Sequence, residues 1–380
     1  MKIGFVAGES SGDLLGAGLI CALKKHYPDA IYEGIAGPKM AEAGCQQLES
    51  SESLSVFGII EPLIHLPRLY KLRKSLIKRW IQSPPDIFIG IDSPDFNLHL
   101  EKKLRENGVT VIHYVSPSIW AWRAGRIKTI KTAADKVLCI LPFEVSLYES
   151  HEIDAIFVGH PKADSIPAKL DEKIARKFLN IDSDEVVAIL PGSRMNEVSF
   201  LGDIFVSAAK IILKARKNIK FIIPIASPSL KSKIELQVSS AGLAENFILL
   251  DGHSEKAMIA ADVVLLASGT AALESALLER PTVAAYRVSK VTYAILKIFG
   301  LLKLNKFTLP NLLMDTPLVP EFIQNNAKPN LIAEAVINLL ENPEKRKFIS
   351  ENFSRLKDEL ALNANQRAAD AVISSIKCNS

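Results

Sequence analysis

Val263-Val264-Leu265-Leu266-Ala267-Ser268-Gly269-Thr270-Ala271-Ala272-Leu273-Glu274-Ser275-Ala276-Leu277-Leu278 is the stretch on which the fold turns. An apolar run reads as a buried strand, three small polar residues turn the chain, and a helical pattern follows. The first turn of a helix carries free N–H groups and the positive end of the peptide dipole. Here those donors stand at the carboxyl end of a strand with no bulky side chain over them, which suits a phosphate. The same residues suit an ordinary N-cap, with Ser268 or Thr270 capping the helix and binding nothing. A second turn of this kind follows Val186-Val187-Ala188-Ile189-Leu190, which ends in Pro191-Gly192-Ser193-Arg194, with Glu197 three residues later. Gly192 lets backbone approach a ligand closely, and Arg194 offers a planar fork to a phosphate oxygen. The bland alternative is a capping box with a solvated arginine. Together the two turns suit the two ends of a nucleotide diphosphate.

Outward from these turns the chain alternates strands and helices. Apolar runs predict strands over 2–7, 31–36, 86–91, 109–114, 136–140 and 155–158, then over 186–190, 220–225, 247–250, 263–267 and 282–286. Helical patterns occupy 12–26, 97–107, 199–217, 229–241, 254–261 and 270–279. Short continuous apolar runs of this sort belong to parallel sheets covered on both faces. The expected fold class is α/β, with two Rossmann-like, doubly wound domains. Gly159-His160-Pro161 marks the boundary, giving domains over 1–163 and 164–345, with a helical tail over 346–380 packing back on the first.

Composition narrows the class of protein. A chain of 380 residues with 48% hydrophobic and 23% charged residues is globular and long enough for two domains. A net charge of +4 does not point to nucleic acid. Cys21, Cys45, Cys139 and Cys378 lack the spacing of a zinc site or a disulfide framework, so a reducing cytoplasm is expected. The apolar core of the opening residues, before Glu9, is too short for a signal peptide, and no run is long enough for a membrane span. Two segments without acidic residues stand out, from Pro62 to Pro85 and from Arg280 to Met314. The first interleaves Arg68, Lys71, Arg73, Lys74, Lys78 and Arg79 with Leu66, Leu69, Leu72, Leu76, Ile77 and Trp80 at helical spacing. Such stretches lie on anionic membrane surfaces or turn their apolar side to a core.

In open α/β sheets, ligands bind beyond the carboxyl ends of the strands. In the first half those loops are Gly8-Glu9-Ser10-Ser11-Gly12-Asp13, Asp92-Ser93-Pro94-Asp95-Phe96-Asn97 and Ser116-Pro117-Ser118-Ile119-Trp120-Ala121-Trp122-Arg123. They carry carboxylates and aromatics, whereas the second half carries small residues and Arg194. This asymmetry places an anionic donor in the second half and its reaction partner in the first.

These loops, together with Leu190-Pro191-Gly192-Ser193-Arg194, Leu266-Ala267-Ser268-Gly269-Thr270-Ala271-Ala272-Leu273-Glu274 and Leu309-Pro310-Asn311-Leu312-Leu313, occur in an order that closely resembles the lipid-A-disaccharide synthase family of Gram-negative bacteria. The resemblance covers essentially the whole chain; Ser10 and Ser93 stand where small residues vary. It implies a two-Rossmann, GT-B glycosyltransferase that joins UDP-2,3-diacylglucosamine to 2,3-diacylglucosamine 1-phosphate (lipid X). The implied product is a β-1′,6 tetraacyl disaccharide 1-phosphate, with UDP released, in lipid A biosynthesis. It also implies work at the cytoplasmic face of the inner membrane as a peripheral protein, and leaves a homodimer open. A UDP-N-acetylglucosamine 2-epimerase-like isomerase is the rival enzyme, and a non-catalytic nucleotide- or lipid-binding protein the rival of another class. The acid-free apolar segments speak against the first, and the Asp92 loop against the second.

An α-linked donor giving a β product means inversion by one direct displacement. That needs a base for the acceptor hydroxyl and a stabiliser for departing UDP. Asp92 is the candidate base and the residue to which the resemblance points; a helix N-cap is its other reading. Asp95 is the alternative base or a cap. Glu9 and Asp13 flank the first turn and assist or cap, with Ser10, Ser11 and Gly12 on the acceptor side. Trp120 and Trp122 pack on a sugar or acyl chain, or in the core. Gly192, Ser193, Arg194, Ser268, Gly269 and Thr270 serve the UDP phosphates, Glu274 the ribose, and Glu197 and Asn311 lesser contacts. No cofactor is expected. No metal is expected either, since Arg194 and the helix dipole supply positive charge, and Asp182-Ser183-Asp184 reads as a solvated turn at the wrong end of its sheet. His160 reads as fixing the interdomain linker.

Overall fold

The apolar runs fold as strands covered on both faces, which is why they lack the alternation of a half-exposed strand. The computed structural model describes residues 1–54, 61–120, 125–289, 293 and 306–377, with backbone alone at 61–66 and 377. The first sheet holds β1 (Lys2–Ala7), β2 (Ile31–Ala36), β3 (Gln46–Ser50), β4 (Ile87–Ile91), β5 (Thr110–Tyr114), β6 (Lys136–Cys139) and β7 (Ala155–Phe157), in the order β3-β2-β1-β4-β5-β6-β7. The second holds β8 (Glu185–Leu190), β9 (Ile219–Ile225), β10 (Phe247–Asp251), β11 (Val263–Ala267), β12 (Thr282–Tyr286) and β13 (Glu321–Ile323), in the order β10-β9-β8-β11-β12-β13. Every pairing is parallel. Each sheet grows outward from its first strand and then reverses, between β1 and β4 and again between β8 and β11. Both are Rossmann-like and doubly wound, as the sequence predicts.

β3 and β13 are absent from the sequence-based reading because they are edge strands without an apolar run. β3 is Gln46-Gln47-Leu48-Glu49-Ser50, and β13 has three residues. Four helices begin earlier than predicted, at Ser10, Pro94, Met195 and Pro228, two of them on a proline. Proline suits the first helical position, where its missing N–H has no intrahelical partner in any case.

The chain divides into two compact units, residues 1–164 with 360–380, and residues 165–359. The tail expected to return from 346 therefore splits, because most of the helix Pro343–Leu360 belongs to the second unit, where Lys357 pairs with Glu279. The helix Ala364–Lys377 packs on the first, contributing Ala368, Ala369 and Val372 to the core with Leu19, Leu23 and Ile89. Asp164 caps it, accepting from the N–H groups of Asn363 at 2.9 Å and Ala364 at 2.6 Å.

The first acid-free segment forms the helix Glu61–Gln82. Its apolar side faces the core in the carboxyl-terminal half. Leu76 and Trp80 are buried with Phe88, and Leu72 and Ile77 pack against them. Trp80 tilts onto Phe88 with ring centroids 5.2 Å apart and donates its indole N–H to Glu33 at 2.8 Å. Most of the apolar residues of that half are thus turned to the core, Ile81 being exposed, and Lys71, Lys74 and Lys78 are exposed as well. Residues 291–304 of the second segment, Tyr293 aside, lie outside the described residues. Among the described residues no helix is long and apolar enough to cross a membrane.

Candidate active site

The reversal of each sheet opens a crevice at the carboxyl ends of the two strands that part there. In the first unit β4 ends at Ile91, and Asp92 and Ser93 follow with φ of +50° and +45°. Left-handed backbone costs a non-glycine residue roughly 1–2 kcal/mol, so the surroundings must hold it. The Asp92 N–H donates to the Tyr114 carbonyl at 2.9 Å. The fully buried Asn97 donates its amide to the carbonyls of Asp92 at 2.8 Å and Ile91 at 3.3 Å. The clamped turn borders a cavity of about 650 Å³ that Asp92 shares with Glu9 and Asp95. Leu54, Leu69, Tyr70 and Phe96 supply apolar wall, and Arg73 a cation. Acids beside apolar wall suit an acceptor with hydroxyl groups and an acyl chain. Asp95, in the first turn of the helix Pro94–Arg105, pairs with Arg126.

The other first-half candidates lie elsewhere. Asp13 is buried, and its carboxylate accepts from the N–H groups of Gly37 and Lys39 at 2.9 Å and Met40 at 3.0 Å. It caps the helix Pro38–Glu42 and is not among the residues lining the Asp92 cavity. Gly37 is bare for this reason, since a Cβ there would lie 2.5 Å from the Asp13 carboxylate. Ser10 and Ser11 are exposed at the start of the helix Ser10–Lys24, outside the cavity lining, and Gly12 is buried over Ala7 and Ile91. Trp120 donates its indole N–H to Glu144 at 3.2 Å and meets Phe143 edge-on at 5.3 Å, so it is tied into the fold and does not line the cavity. Burial pushes the Glu144 carboxyl up to about 7. Trp122 lies outside the described residues. His160 sits at the unit boundary, its N–H on the Leu360 carbonyl at 2.8 Å and its ring accepting from the Lys162 N–H at 3.2 Å. Burial pushes its imidazole down to about 4.

In the second unit Gly192, Ser193, Arg194, Glu197, Ser268, Gly269, Thr270 and Glu274 line one cavity of about 420 Å³. The two turns differ inside it. Glu197 accepts from the N–H groups of Ser193 at 3.0 Å and Arg194 at 3.3 Å, and lies 3.6 Å from the Arg194 guanidinium. Gly192, at φ +123°, leaves room for that carboxylate, because a Cβ there would come within 2.4 Å of it. No side chain caps the helix Thr270–Leu277, and Gly269 and Thr270 are exposed. Asn311 is apart from this cavity. Its amide donates to Val319 at 2.8 Å and Glu321 at 2.9 Å, and its oxygen accepts from Leu318 and Val319, both at 2.9 Å. Those four bonds fill its capacity, so it braces the connection from the helix Leu309–Leu313 to β13 instead of facing a ligand. Asp182 and Asp184 are exposed at the amino end of β8.

The sequence reading missed Tyr70, Leu69 and Arg73, which it had placed only on a core- or membrane-facing helix. It also missed Pro224, Ile225, Ala226, Gly252 and Ser254 in the second cavity. Their signal was present, as Ala226-Ser227-Pro228 and Gly252-His253-Ser254 are further strand-to-helix turns.

Comparison with known proteins decides what this pair of cavities belongs to. The family model of lipid-A-disaccharide synthetase matches residues 3–374. The chain belongs to the lipid-A-disaccharide synthase family. It is 46% identical over 373 residues to the lipid-A-disaccharide synthase of Xanthomonas campestris pv. campestris strain 8004, covering 98% of this chain and 85% of that one. It is 44% identical over 380 residues to that of Pseudoalteromonas translucida, covering 100% and 98%. Solved structures share the fold at much lower identity. UDP-GlcNAc 2-epimerase from Neisseria meningitidis, bound to UDP-GlcNAc, gives a TM-score of 0.65 at 14% identity, over 98% of this chain and 100% of that one. The glycotransferase of kitacinnamycin gives 0.62 at 15%, over 98% of each. The epimerase likeness is one of fold. As a member of the lipid-A-disaccharide synthase family the chain is a UDP-sugar-dependent glycosyltransferase of GT-B architecture.

Proposed function

We propose that the chain transfers 2,3-diacylglucosamine from UDP-2,3-diacylglucosamine to the 6-hydroxyl of 2,3-diacylglucosamine 1-phosphate, with Asp92 as the base. The observation that carries this reading is the clamped Asp92 turn beside Glu9 in a cavity with apolar walls. The acceptor oxygen attacks the anomeric carbon as Asp92 takes its proton, and the bond from that carbon to the diphosphate breaks with inversion. Glu9 orients the acceptor. In the second unit, the start of the helix Thr270–Leu277, which no side chain caps, and the Arg194 guanidinium meet the charge that grows on UDP. Glu274 serves the ribose. Glu197 already fills the donors of its own turn, so the Thr270 helix is the principal phosphate site.

Acyl chains on both substrates bring the protein to the inner-membrane surface, with the exposed Lys71, Lys74 and Lys78 drawn to anionic lipid. Incubation with radiolabelled donor and lipid X tests the function. Thin-layer chromatography should show a disaccharide 1-phosphate with wild-type protein and essentially none with Asp92→Asn. Isomerised sugar nucleotide in its place would refute the reading.

A further inference from the structure

Beneath the Asp92 turn lies a buried carboxyl–imidazole pair that the reaction as described does not use. Glu101, on the helix Pro94–Arg105, and His113, on β5, are both wholly buried and meet at 2.7 Å between Oε1 and Nδ1. The backbone makes room for them, since a Cβ on Gly90 would lie 1.9 Å from Glu101 Oε1. Gly90 is the register partner of His113 and stands two residues before Asp92. Glu101 Oε2, His113 Nε2 and the neighbouring Asn97 Oδ1 have no hydrogen-bond partner among the described residues. A buried ion pair with unmet polar atoms is a poor stabiliser, and apolar side chains of similar volume commonly do as well. Stability therefore does not account for the pair.

Its position does. Tyr114, next to His113, accepts the Asp92 N–H, and Asn97, one helical turn before Glu101, grips the Asp92 carbonyl. Burial opposes charge on the His113 ring, but Glu101 and, after it, Asp92, the charged groups that act on it, raise its hold on the proton above that of an ordinary imidazole. His113 pairs in register with Gly90, two residues before Asp92, and Asp92 is among the charges that favour its protonated form.

We propose that Glu101 and His113 are a positioning pair for Asp92, presenting a cationic imidazole beneath the carboxylate that takes the acceptor proton. The proposal rests on the reading of Asp92 as base, and the test separates the two. In ¹⁵N-histidine NMR spectra of the whole protein, the His113 ring is protonated at neutral pH, and Asp92→Asn lowers the pH at which it loses its proton. A neutral ring in the wild type, or one indifferent to Asp92→Asn, overturns the pair's role and needs no substitution within the pair. In activity, His113→Asn moves the acidic limb of the kcat/KM profile up by roughly half to one pH unit, because an opposite charge favours the carboxylate form. A uniform loss at all pH values, as from structural damage, overturns it too. Normal turnover by Asp92→Asn overturns the base assignment, whatever the spectra show.

Discussion

The carboxyl ends of β1 and β4 and those of β8 and β11 are the same place in one topology, yet they carry opposite chemistry. The first offers carboxylates, Glu9 and Asp92, the latter on a turn held in left-handed backbone. The second offers N–H donors and Arg194, with small residues between them. The sheet order decides where each crevice opens, and a handful of loop residues decides which chemical groups line it. Carboxylates alone do not mark the difference. Asp13 and Glu197 both accept backbone N–H groups, Asp13 away from the cavity and Glu197 within it. What sets Asp92 apart is a carboxylate at a switch point whose backbone is gripped by neighbours.

Substitutions that exchange or erase this contrast are ordered here by size of effect. Asp92→Asn should lower turnover by about 10³-fold, within the usual range for a general base, in the radiolabel assay. Arg194→Ala should lower kcat by about 10²-fold, the scale for loss of one donor to a developing anion, with weaker UDP binding by calorimetry. Asp13→Ala should leave kcat/KM of the folded protein near wild type. It should cost about 2–3 kcal/mol in urea unfolding, as charge-assisted bonds to three N–H groups are lost. A large kcat effect there would blur the distinction between the two acids.

An effect on stability alone, with none on turnover, concerns Glu144, whose carboxyl burial raises from 4.5 to about 7. The folded state then binds the proton more tightly than the unfolded chain. Its contribution is complete below pH 4.5 and is lost as pH rises toward 7, at no more than about 1.4 kcal/mol per pH unit. Glu144→Gln should flatten that slope in thermal melts across this window.

Much of this was legible in sequence because parallel strands are local apolar runs and their loops punctuate them. The candidates expected on the UDP side sit mostly on two short contiguous motifs, so all but Asn311 line one cavity, to which two further turns add Pro224, Ile225, Ala226, Gly252 and Ser254. Asn311 and Asp13 differ from expectation for one reason, since their partners, backbone groups apart from the Glu321 carboxylate, lie outside their own helices, which no local pattern records. Glu101 and His113 were hidden in the same way. Each is a lone polar residue in an ordinary helix or strand pattern, and their meeting depends on Gly90. β3 and β13 exist through pairing with β2 and β12 and not through their own side chains.

The central claim is that proton removal belongs to the first unit and UDP binding to the second. Titration of UDP into Asp92→Asn protein by calorimetry tests it most directly. The account predicts an affinity indistinguishable from wild type in a protein that no longer turns over. A tenfold or greater loss of UDP affinity, or undiminished turnover, would contradict it.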